Sequence, residues 1–248
     1  SSIEETMVGL RQFGSGQKGL ISIGLLSSVA RNLLPAASEK LSEKFSEIEL
    51  DIMEIAPKEA IDLLYGRQLS VAVLAEDSIA KSILSFSKTN LFEDPYVLAV
   101  PKSVSLENIK SLEDLKSSPI RKALSNIIQF EFGNQHKKRI EEWFTSVLPN
   151  SKVFAKTRTY EVALSMVQSG RGVAVIPALA ARLSGNLDFD VNLYRTNLPV
   201  RKIVSLIPSQ YIRVEPYKSF IEALSDSGKN IKLPKIHKVP PILESLSL

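Results

Sequence analysis

Short apolar runs alternate along this chain with segments whose apolar residues fall at helical spacing. That alternation constrains the fold more than any other feature. LISIGL (20–25), LSVAVLA (69–75), YVLAVP (96–101), GVAVIP (172–177) and RKIVSLIP (201–208) predict buried strands. Ile48, Leu50 and Ile52 alternate as a strand, NIIQFEF (126–132) reads as another, and Val153 to Ala155 and Leu187 to Leu193 add two more. Between them, Val29, Leu33, Leu34, Ala37, Leu41 and Phe45 share one helical face. So do Ile140, Trp143, Phe144 and Val147, and later Phe220, Ile221 and Leu224. Strands alternating with helices predict an α/β fold with mainly parallel sheets.

With 248 residues, 44% of them hydrophobic, the chain can bury one large core or two smaller ones. No apolar run reaches the roughly 18 residues a membrane span needs, and no secretory signal is read at Ser1 to Gly9. The start lacks an initiator Met, which predicts a fragment or a processed form. Cysteine is absent, which removes disulfides and thiolate metal sites and fits a reducing, cytoplasmic setting. Of the net charge of +4, the stretch from Lys229 to Leu248 carries +3, so the body has no overall basic bias toward nucleic acid.

Catalytic patterns are missing. There is no G-x-S-x-G elbow, P-loop, H-E-x-x-H or EF-hand loop. Two histidines make no cluster for zinc or iron, and no cofactor is expected. Glu141 and Glu142 are adjacent on a helix and so do not share a face. GSGQKG (14–19) matches G-x-G-x-x-G, but it follows a helix and precedes a strand, the reverse of what a dinucleotide site needs. HKKR (136–139) reads as a solvated helix face, with His136 on the surface.

The ordered set of segments resembles the effector-binding domain of LysR-type transcriptional regulators. The resemblance is carried by KGLISIGLLSSVARNLLP, LFEDPYVLAVPKSVSL, VALSMVQSGRGVAVIPALAA and RKIVSLIP…PYKSFIEAL, and runs from about 10 to 228. It departs from the usual pattern at Leu69-Ser70, where Leu-Asp is common, and in a longer segment at 117–125. The resemblance implies two Rossmann-like subdomains of type 2 periplasmic-binding-protein kind, with a hinge and an interdomain cleft. Residues 1–18 would end a linker helix. Subdomain I would be 19–99 and 199–228, subdomain II 100–198, and 229–248 an irregular tail. DNA would be bound only through an N-terminal winged helix-turn-helix outside this chain, in a homodimer or homotetramer. The two helices with wide apolar stripes, 29–45 and 135–147, would pack across the dimer interface.

In such a fold the ligand lies at strand ends where helix N-termini converge, and those termini favour anions. The resemblance places contacts for a small-molecule effector, with organic anions favoured, at Ser27, Ser28 and Val29, at Gly133, Asn134 and Gln135, at Thr159, and at Ile176 and Pro177. Ser27 or Ser28, and Thr159, also read as plain helix caps, and Gly133-Asn134 as a plain turn. Two rival functions share the fold: a solute-binding protein of a transporter, and an enzyme.

Overall fold

Strand β1 (Gly19–Leu25) pairs in parallel with β2 (Ile48–Glu54), Gly19 opposite Ile48 and Leu25 opposite Glu54. The computed structural model describes residues 19–79, 85–115, 118–131 and 134–244, with the side chains of Asn134 and Gln135 left out. The predicted linker helix over 1–18 and the turn residue Gly133 lie outside the described residues.

β1 also pairs in parallel with β3 (Val71–Ala75), giving the sheet order β2-β1-β3-β12-β4. β12 (Arg201–Pro208) runs antiparallel to β3, Ile203 opposite Ala75. Helices cover both faces, so β3 is buried along its whole length and needs no polar alternation. Its Val71, Val73 and Ala75 meet the stripes of α1 (Ser27–Lys44) and a late helix, α6 (Tyr217–Lys229). Ala72 and Leu74 face α2 (Pro57–Tyr65) on the other side. β4 (Phe86–Asp94) was not legible in the sequence, because at the sheet edge only its Leu91 and Asp94 are buried and the rest of the strand is partly or largely exposed.

The second unit is built on β5 (Tyr96–Pro101), flanked antiparallel by β11 (Val191–Arg195) and β8 (Ala174–Pro177). Here the expectation of mainly parallel pairing gives way, and only β6 (Asn126–Phe130) and β7 (Lys152–Thr157) pair in parallel. β6 stops at Phe130, two residues short of the apolar run. Its helices are α3 (Pro119–Leu124), α4 (Asn134–Val147) and α5 (Tyr160–Gln168). A small hairpin pairs β9 (Arg182–Ser184) with β10 (Leu187–Asp188). The turn out of α5 needs its glycines. Gly170 has φ +76°, and a Cβ on Gly172 would sit 2.5 Å from the Asn126 carbonyl oxygen.

The chain divides into two compact units, 1–93 with 202–231 and 94–201 with 232–248. Both sequence boundaries therefore move. All of β5 belongs to the second unit because it pairs with β8 and β11. The segment after α6, expected as an irregular tail, is packed. It lacks regular structure as far as Pro240, then forms α7 (Pro241–Glu244), whose Ile242 and Leu243 are buried in the second unit's core. The aromatic stripe of α4 is also core. Trp143 and Phe144 are buried, and Trp143 Nε1 donates to Asn197 Oδ1 at 2.8 Å, so these two rings are not held out for a partner.

Candidate effector site

In the first unit, β1 ends at Leu25 and α1 begins two residues later. Leu26 occupies the cap position in extended geometry, so neither serine caps the helix. Ser27 and Ser28 are its first two helical residues, where backbone N–H groups lack intrahelical partners. Ser27 Oγ accepts from Arg31 at 3.5 Å, and the Ser28 carbonyl accepts from Asn32 Nδ2 at 2.8 Å. The Ser28 hydroxyl is different. The residue is 1% exposed, and its Oγ has no hydrogen-bond partner. Burying a hydroxyl without a partner is costly, so a group that pairs with this one at the head of the helix is favoured. Val29 is buried beside it in the core.

In the second unit, Thr159 caps α5, its Oγ1 accepting from the Val162 N–H at 3.3 Å. The next residue, Tyr160, stacks its ring on Phe130 at the end of β6, with centroids 3.8 Å apart and planes at 19°. Burial pushes the Tyr160 phenol up, offset in part by the Arg201 guanidinium. Ile176 and Pro177, at the end of β8, are fully buried. The 3-10 turn that follows, Ala178–Ala181, has Pro177 at its cap position and no side chain of its own to cap it.

Asp94 supplies that cap from 85 residues away. Its Oδ1 accepts from the Leu179 N–H at 3.0 Å, and its Oδ2 from Arg201 Nη2 at 2.9 Å. Asp94 is 0% exposed and Arg201 4%. Burial pushes the Asp94 carboxyl up, and Arg201 and the turn amides offset this only in part. For Arg201, burial works against the charge, but the Asp94 carboxylate, with Tyr160 and Tyr96, outweighs it and holds the guanidinium above its ordinary value.

Sequence reasoning named Thr159, Ile176 and Pro177, and missed Asp94, Phe130, Tyr160 and Arg201. An aromatic directly after a helix cap and another at a strand end were the available signals. The Asp94–Arg201 pairing left none. Asn134 and Gln135 are the first two residues of α4. His136, expected on the surface, is partly buried with its ring 6.0 Å from Tyr96. The basic stretch beside it is matched by acids, Lys137 with Glu131 at 2.9 Å and Lys138 with Glu142 at 3.8 Å. Among the described residues no group of His, Asp and Glu could hold a metal ion.

Two α/β units, each opening a strand end onto the first turn of a helix, define a ligand-binding module rather than a DNA-reading one. The family described as LysR substrate binding domain matches residues 14–229. The chain belongs to that family, the ligand-sensing regulatory domain of LysR-type transcriptional regulators. It is 22% identical over 241 residues to a "Probable RuBisCO transcriptional regulator" of Phaeodactylum tricornutum, covering 92% of this chain and 73% of the relative. It is 23% identical over 218 residues to the "DNA-binding transcriptional dual regulator OxyR" of Escherichia coli, covering 87% and 67%. The reduced form of OxyR from N. meningitidis has the same fold, with TM-score 0.62, 20% identity and 85% and 96% coverage.

Proposed function

We propose that this domain binds a small metabolite through the seam at Ser27, Ser28 and Val29 together with the seam at Thr159, Ile176 and Pro177, with Gly133, Asn134 and Gln135 contributing. Occupancy then controls transcription through a winged helix-turn-helix elsewhere in the whole, cytoplasmic protein. The observation that carries this reading is the buried, partnerless hydroxyl of Ser28 in the first turn of α1. A ligand acceptor or donor there pairs with that hydroxyl inside a buried setting, where a hydrogen bond counts for more. Helix N-termini at both seams favour an organic anion. The relatives are transcriptional regulators, which disfavours both a transporter's solute-binding protein and an enzyme.

A thermal-shift screen of small carboxylates tests this. A ligand at about 100 times its dissociation constant adds about 2.7 kcal/mol, enough for a clear rise in Tm. Replacing Ser27 and Ser28 together with leucine should abolish that rise. A rise that persists in the folded double variant sinks the Ser28 seam.

No thiol of these 248 residues can carry the signal. The matched N. meningitidis domain was solved in a reduced form, but these 248 residues contain no cysteine.

The homodimer or homotetramer reading moves from the helix stripes to two edge strands. β7 exposes Val153 and Phe154 between Lys152 and Lys156. β2 exposes Ile52 between Asp51 and Glu54. An apolar centre with opposite flanking charges suits β7 of one copy against β2 of another. Phe154→Glu should therefore convert the oligomer to monomer in light scattering without lowering Tm, since Phe154 is 51% exposed. An unchanged oligomer would rule this surface out.

A further inference from the structure

The chain passes between its two units three times, at 93/94, 201/202 and 231/232. The first two passages are joined, because Asp94 and Arg201 are the residues on the second-unit side of each and are hydrogen-bonded at 2.9 Å. The third passage lies beyond residue 229, where the family match ends.

That third passage is anchored on both sides. Before it, α6 is held in the first unit. Ser227 Oγ donates to the Leu33 carbonyl at 2.8 Å, and Gly228 lies so close to β4 that a Cβ would sit 2.5 Å from the Leu91 carbonyl oxygen. After it, the Leu233 carbonyl accepts from buried Arg182 Nη2 at 3.1 Å. His237 then bridges to the free edge of β11. Its N–H donates to the Leu193 carbonyl at 2.7 Å, and its carbonyl accepts from the Arg195 N–H at 3.0 Å. Its ring stacks on Tyr194 at 5.0 Å, and its Nδ1 lies 3.2 Å from Glu107 Oε1. Ile242 and Leu243 then plug the core. Pro234, Pro240 and Pro241 keep the segment from coiling into a longer helix.

From Lys229, the last residue of α6, to the anchored Leu233 the connector can span at most about 14 Å fully extended. We propose that residues 232–244 are a strap that limits rotation of one unit against the other. The ends of the connector cannot separate beyond that span, so a rotation that would carry them further apart must stop or pull the strap from its seat.

The absence of cysteine makes the test simple, since spin labels can be placed at Lys58→Cys in the first unit and Lys138→Cys in the second. Double electron–electron resonance on this chain should give a narrow distance distribution. Inserting Gly-Ser-Gly-Ser-Gly-Ser between Ile231 and Lys232 leaves every docking residue in place and adds slack of up to about 20 Å. A longer-distance population should then appear, and Ile242→Asp with Leu243→Asp should produce it by unseating the plug. An insertion variant whose distribution matches that of the parent would overturn the strap, whatever the plug variant does.

Discussion

Asp94→Ala should destabilise the second unit by about 3–5 kcal/mol, because it leaves the Arg201 guanidinium buried and uncompensated. For a chain of this size that corresponds to a fall in Tm of roughly 6–20 °C. Two losses combine. The charge on Arg201 loses its counter-ion, and the Ala178–Ala181 turn loses the carboxylate that caps it. Removing both charges behaves differently. Replacing a buried ion pair with apolar residues of similar volume is often neutral or stabilising, so Asp94→Leu with Arg201→Met should recover most of the loss. Chemical denaturation of the two single variants and the double variant measures the coupling. Single-variant losses that simply add in the double variant would show that the pair does not act as a unit. The consequence reaches the site, because the capped turn follows Ile176 and Pro177 directly.

Ser28→Ala should act in opposite directions on stability and on binding. The free domain should be as stable as the parent or gain up to about 1–2 kcal/mol, since alanine removes an unsatisfied buried hydroxyl and is the better helix former. Effector affinity should fall by roughly 10- to 100-fold, the cost of a lost hydrogen bond in a buried site. A residue with a purely structural role would lower both or neither. Ser42→Ala, at an exposed serine near the other end of α1, is the control and should change neither. Unchanged affinity in Ser28→Ala, for a ligand that stabilises the parent, would remove Ser28 from the site.

Strands buried on both faces were legible because they carry unbroken apolar runs, as β3 and β5 do. β4 was hidden because only part of an edge strand is buried. The seam at Leu26 to Val29 was legible as a place. The role of each serine was not, because it turned on where β1 stops. With the helix cap at Leu26, the second helical residue is the one that points inward. The Thr159 cap could be read from a local pattern of polar residue and helix start. Asp94 and Arg201 lie 107 residues apart, and nothing local distinguishes them from surface charges. The stripe of Trp143 and Phe144 showed that α4 has an apolar face, but spacing cannot tell a unit's own core from a partner's surface.

Hydrogen–deuterium exchange on the domain with a stabilising ligand tests the central claim most directly. Binding at both seams should slow exchange together at 26–30 in the first unit and at 159–163 and 178–179 in the second. The strands beneath should change little. Protection confined to one unit, or centred away from these three segments, would contradict the account.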